Sequence, residues 1–165
     1  MGDGCGLFGD ALSLTQANPV THQTYRIFSI SGPVSLSNND EFAPRLLNDH
    51  MTVYQLETGL WKSDINLMST SSSEQWSQAG QLMWSPDDRL ISLIAIYNPC
   101  GDKATSSLIV IDVQTGQAQT VINHDTRPFT SATWLGEKTV RLSYRYFKPN
   151  AESEFFTITV ESAQP

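Results

Sequence analysis

The side chains of this 165-residue chain best able to move a proton at neutral pH are three histidines, His22, His50 and His124. Asp49-His50 and His124-Asp125 put a carboxylate next to an imidazole, the pairing that a general base and its orienting acid would need. Neighbours along a strand point to opposite faces, however, so adjacency makes no dyad, and both are read as turn or surface histidines. No serine sits in a Gly-x-Ser-x-Gly elbow, there is no glycine-rich phosphate loop, and no His/Cys set has zinc spacing. Asp87, Asp88 and Asp102 are candidate calcium ligands without a regular Asp-x-Asp-x-Asp ladder, which favours turn carboxylates. The expectation is a non-enzyme with no metal and no cofactor.

The remaining chemistry is that of recognition. Trp84, Trp134 and Trp61 fall at equivalent or strand-edge positions and are read as packing residues. Trp76 lies in a polar stretch, 67–80, where a large aromatic is either tucked against the fold or offered to a partner. Cys5 and Cys100 leave two readings open, two free thiols or one disulfide. A bridge would restrain a loop of roughly 95 residues, contribute about 4 kcal/mol and imply an oxidising compartment.

Charge narrows the partners. With 17 acidic against 10 basic side chains the formal charge is −7, which disfavours nucleic acid and anionic membranes and suits a basic protein. No apolar run reaches the length of a membrane-spanning helix, and neither a signal peptide nor a lipidation signal is read.

The elements that must position these residues repeat. Trp84-Ser85-Pro86-Asp87-Asp88-Arg89-Leu90 and Trp134-Leu135-Gly136-Glu137-Lys138-Thr139-Val140 share one plan at an offset of 50 residues: a tryptophan closes a strand, a turn follows, and an apolar strand begins. Met51 to Gly59 matches Leu108 to Gly116 at an offset of 57. A period near 50 built from short strands predicts blade-like units. Residues 1–23 are read as a tail or an added strand around Ala11 to Leu14, with units over 24–66, 81–122 and 130–161 in one β domain. Unit one comprises strands Thr24 to Ile30, Met51 to Leu56 and Leu60 to Asn66. The middle unit has four strands, Gln81 to Trp84, Leu90 to Tyr97, Leu108 to Val113 and Gln117 to Ile122, and Gly116 supplies the positive φ of its last hairpin. Unit three offers Ser131 to Trp134, Val140 to Phe147 and Phe155 to Val160; Glu41 to His50 is the one helix candidate.

Trp84-Ser85-Pro86-Asp87-Asp88 followed by Arg89-Leu90-Ile91 resembles the aromatic-Ser-Pro-Asp-Gly signature of TolB-type and WD40-like propeller blades, with Asp88 in place of glycine. Asp112-Val113-Gln114-Thr115-Gly116 is similar to the turn between the last two strands of such blades. The resemblance implies an all-β fold, an incomplete β-propeller or a sandwich of about three antiparallel units. Closed propellers need four to eight blades, so open edges are expected, to be covered by the tail, a partner or a second copy.

Loops between the second and third strands, at 98–107, 148–154 and roughly 31–50, are expected on one face, where such scaffolds carry recognition. The leading expectation is therefore a non-catalytic protein-binding module using Asn98, Asp102, Lys103, Thr105, Ser106, Ser107 and Trp76. The blade plan, early cysteine and acidity also resemble periplasmic immunity proteins that block peptidoglycan-degrading amidases delivered by type VI secretion. That resemblance implies a basic hydrolase as partner, a serine-containing loop of the middle unit as plug, and a periplasmic or secreted location, with the cytoplasm as the alternative. The competing reading is a carbohydrate or small-ligand accessory domain that stacks its ligand on Trp76 or Tyr97.

Overall fold

The computed structural model describes residues 11–17, 24–31, 35–47, 50–58, 61–67, 76–99, 101, 103–146 and 150–161. Among these there is no helix, and the chain forms twelve strands in four antiparallel sheets.

The second sheet is complete. Gln78–Trp84 (β6), Leu90–Tyr97 (β7), Thr105–Asp112 (β8) and Gln117–Asp125 (β9) lie side by side in that order. Every residue of β7 is buried, as the unbroken apolar run predicts for a strand with packed sheets on both faces. Phe129–Trp134 (β10), Thr139–Tyr144 (β11) and Glu154–Thr159 (β12) form the third sheet. Phe42–Leu47 (β3), His50–Gln55 (β4) and Trp61–Asn66 (β5) form the first. Ala11–Ala17 (β1) pairs with Thr24–Ser31 (β2) in a separate two-stranded ribbon.

Two apolar layers hold the three sheets face to face. Ile91, Leu93, Ile109 and Ile111 pack with Met51, Val53 and Ile65 of the first sheet. Leu90, Ile94, Leu108 and Val110, alternating with them, pack with Phe129, Val140 and Leu142 of the third. The period-2 geometry of a strand thus sends one sequence run into both cores.

Three expectations are corrected here. Glu41 to His50 is not helical, and residues 31–50 are not one long connection: β3 runs through them and pairs with β4 from Phe42↔Gln55 to Leu47↔His50. Pro44 is tolerated because β3 is an edge strand. The Leu56 N–H bonds the Glu41 carbonyl at 2.8 Å, so by strand alternation the position of the missing Pro44 N–H faces away from β4. Likewise Thr24–Ser31 does not open the first unit, since its partner is β1.

The structure also shows a third copy of the turn. Ser37 to Phe42 repeats Ser85 to Leu90: Ser37 N–H to Phe42 O is 2.9 Å and Ser85 N–H to Leu90 O is 2.8 Å. Ser37 Oγ bonds Asn39 Oδ1 at 2.7 Å, as Ser85 Oγ bonds Asp87 Oδ1 at 2.5 Å. Asp40 and Asp88 both take left-handed φ values, 57° and 54°. In all three sheets the residue just after β4, β8 or β12 donates to the carbonyl of the residue just before the preceding strand it pairs with: Leu56 to Glu41, Val113 to Arg89, Val160 to Lys138.

Neighbouring units are joined by the same device. Trp84 Nε1 donates to Ser35 O at 3.3 Å, and Trp134 Nε1 donates to Met83 O at 2.9 Å. Asp88, in the position glycine usually fills, accepts Asn38 N–H at 2.6 Å and Asn38 Nδ2 at 2.7 Å. Its carboxylate therefore ties one turn to the next, which offsets the cost of the left-handed backbone.

Candidate functional site

The link from β7 to β8 is the loop that the repeat pattern singles out. Asn98 enters it at φ 48°, a left-handed conformation that asparagine tolerates better than most residues. Its N–H is held by Ser77 Oγ at 3.2 Å, and Ser77 N–H in turn bonds Ile96 O at 2.9 Å. Gly101 N–H then bonds Asn98 O at 2.9 Å, and Ala104 N–H bonds Gly101 O at 3.1 Å. A Cβ on Gly101 would stand 2.1 Å from Asn98 Nδ2, so glycine is what lets the asparagine side chain fold over the turn. The result is a set of described loop residues braced against β7 and β8, both of which are largely buried.

Beneath the loop, β8 and β9 carry two register shifts between Ser106 and Ile109, and His124 sits at φ 48°. The imidazole thereby lies on the Tyr97 ring, with centroids 4.2 Å apart, and its Nδ1 is 2.9 Å from Thr105 Oγ1. His124 N–H bonds Ser107 Oγ at 2.9 Å, and Phe129 N–H bonds Ser106 Oγ at 3.3 Å.

These bonds decide the fate of the predicted residues. Ser106 and Ser107 belong to β8 rather than to the loop, are 2% and 0% exposed, and spend their hydroxyls on backbone amides. Trp76 is 8% exposed and packs in the layer between the first and second sheets. Asn98 and Lys103 are exposed and Thr105 is half-buried. Asp102, Cys5 and Cys100 lie outside the described residues, and the disulfide reading with them. Comparing loop lengths also changes: the counterpart of 98–104 in the first sheet is the two-residue link 48–49, and in the third it is 145–153.

Sequence reasoning missed a second cluster nearby. Arg127 Nε bonds Asp125 Oδ1 at 2.9 Å and Oδ2 at 3.1 Å, while its guanidinium carbon sits 3.8 Å over the Phe156 ring. The Arg127 hydrogen bond holds the Asp125 carboxyl below the usual carboxylate range. Tyr144 Oη donates to Glu154 Oε2 at 2.6 Å, which raises the phenol above its ordinary value. The local signals were Asp125 two residues before Arg127 and Phe129 two residues after it; Tyr144 and Phe156 come from distant strands.

Elsewhere the surface offers little chemistry. Among the described residues no three His, Cys, Asp or Glu side chains lie close enough to hold a metal. A cleft between β8, β9 and the end of β12 is lined by Leu90, Val110, Gln117, Gln119, Val160 and Glu161, without an aromatic. Tyr97, offered as a sugar-stacking platform, is 2% exposed. No helix among the described residues is long and apolar enough to cross a membrane.

No protein-family model and no curated protein matches this chain. Solved structures do. The tricorn protease matches with a TM-score of 0.57 at 14% identity over 88% of this chain and 15% of its own. TolB from Acinetobacter baumannii gives 0.56 at 13% identity, over 92% of this chain and 36% of its own. The β-propeller domain of the Trilobed protease from Pyrococcus furiosus, described as having an open velcro topology, gives 0.54 at 13% identity, over 93% and 51%. The chain thus spans well under two thirds of each. At such identities the likeness defines the fold: an all-β, unclosed set of TolB/WD40-like propeller blades.

Proposed function

We propose that this chain is a non-catalytic protein-binding module whose recognition element is the braced loop 98–104. The observation that carries the reading is the loop's construction. Two backbone bonds within it, the Asn98 N–H bond to Ser77 Oγ and the asparagine side chain seated over Gly101 tie its described residues to β7 and β8, which lowers the conformational entropy lost when a partner closes over them. The finer reading is an immunity-type inhibitor of a secreted, basic cell-wall hydrolase, acting in the periplasm. The chain's charge of −7 favours fast encounter with such a partner. Burial of Ser106 and Ser107 confines the plug to Asn98, Lys103 and the residues between them, with Thr105 at its base.

The test is capture of secreted and periplasmic proteins on the purified chain, with peptidoglycan-hydrolase activity measured on the captured fraction. Gly101→Ala displaces the Asn98 side chain while leaving the strands alone, and Asn98→Gly removes that side chain at a positive φ that glycine accepts. A hydrolase captured and inhibited by the wild-type chain, but about tenfold less by either variant, is the expected result. Equal capture by all three forms would remove the loop from the site, and no inhibition would end the inhibitor reading. Replacing residues 105–107 is the wrong experiment, because it would break β8.

A further inference from the structure

The outer face of the third sheet departs from the pattern of the second. Ile91 opposes Trp84 as Val140 opposes Trp134, and Ile111 and Ile158 pair with them in turn, which aligns the two sheets residue by residue. Leu90, Ile94, Leu108 and Val110 of the second sheet are buried against the third. Their counterparts one sheet further on are Thr139, Ser143, Phe155 and Thr157, and Arg141 stands where Ser92 does. Phe155 is 67% exposed. This face does not offer the apolar surface on which another sheet of the same kind would pack.

Its edge is also open. The first and second sheets carry β5 and β9 alongside β4 and β8, whereas among the described residues nothing pairs with the outer side of β12. Val160 N–H bonds Lys138 O at 2.7 Å, and antiparallel pairs alternate. The N–H and C=O groups of Phe155, Thr157 and Thr159 therefore point away from β11, towards a fourth-strand position in which no described residue pairs with them. The same three side chains lie on the outer face.

Charge selects the occupant. On a chain of net charge −7, the strand residues of this face include no carboxylate. Arg141 leans across towards β12, with its guanidinium carbon 5.8 Å from the Phe155 ring centroid, and Arg145, exposed, follows beyond β11. On the opposite face of β12, Phe156 and Ile158 are half-buried and apolar, and exposed Glu154 at the start of the strand accepts the Tyr144 hydroxyl.

We propose that the open edge of β12 takes up an extended acidic segment of a partner protein as a fourth strand, with acidic and apolar residues alternating. The acidic side chains lie on the Arg141 side, and the apolar ones extend the layer of Phe156 and Ile158. Main-chain bonds supply affinity and the alternation supplies specificity. This surface is separate from loop 98–104, so either can fail without the other.

The probe is an octapeptide alternating glutamate and valine, compared with its lysine–valine counterpart, with binding followed by fluorescence anisotropy and amide exchange. The acidic peptide is expected to slow exchange at Phe155, Thr157 and Thr159 and to bind more weakly as salt rises. Arg141→Glu should weaken it on the order of tenfold. Thr157→Pro removes an N–H that bonds nothing within the sheet and should abolish binding while the melting profile is kept. Equal binding of the lysine peptide would overturn the proposal. So would protection of the three amides without peptide, whether from this chain or, if it depends on concentration, from a second copy.

Discussion

At the scale of single residues, the Asp112 and Asp125 carboxylates are held by hydrogen bonds within the fold. Burial alone would raise the Asp112 carboxyl, but the Thr115 N–H, the Arg89 guanidinium and the Gln114 N–H together bring it below its ordinary value. Asp125 is lowered first by the Arg127 hydrogen bond. A carboxyl whose folded value lies below its unfolded one stabilises the fold above the unfolded value, near 3.8, and loses that contribution as pH falls through the folded value. The urea midpoint should therefore fall as pH drops from about 5 to about 2. Asp125→Asn should make that fall shallower, and an unchanged slope would show that the pair contributes nothing. None of this was legible as Asp-x-Arg spacing alone, because the contact that orients Arg127 is the ring of Phe156, 29 residues on. The serines show the converse: Thr105-Ser106-Ser107 after a glycine reads as loop by composition, and only their bonds to Phe129 and His124 account for their burial.

At the scale of elements, the repeat is a joint as well as a pattern. Trp134→Phe keeps a six-membered aromatic ring but deletes the buried pyrrole portion and its bond to Met83 O, whose carbonyl retains Ser92 Oγ at 3.4 Å. The expected loss, hydrogen bond plus cavity, is about 1 to 3 kcal/mol, read from chemical denaturation. Ile94→Ala, which opens the layer between the second and third sheets, should cost about 2 to 5 kcal/mol, and Leu93→Ala on the other face of β7 a similar amount. The tryptophan turns, the hairpin at Gly116 with φ 72°, and the apolar run of β7 were all readable, because each depends on residues close in sequence. Strand β3 was not. Pro44 and Arg45 interrupt Phe42, Ala43, Leu46 and Leu47 and break the strand signature, and the segment forms a strand because β4 supplies the ladder. The matching turn at Ser37 to Phe42 escaped notice since Leu36 stands where the other two units have tryptophan.

At the scale of the whole molecule, β7 belongs to both apolar layers, so the second sheet cannot lose one neighbour without exposing part of its own core. Leu93→Ala and Ile94→Ala, on opposite faces, should each shift one common transition, with tryptophan fluorescence and far-UV circular dichroism coincident. Separate transitions would mean that the sheets unfold as independent units. The sequence by itself determined the all-β class, the blade-like period, the turns and the double-faced middle strand, since alternation and turn chemistry are local properties. Only the tertiary structure decided that β1 takes β2 as its partner, that Trp76, Ser106 and Ser107 are interior, and that among the described residues no strand pairs with the outer side of β12. Those outcomes depend on which strand or sheet lies alongside, and a residue's neighbours in sequence carry no information about that.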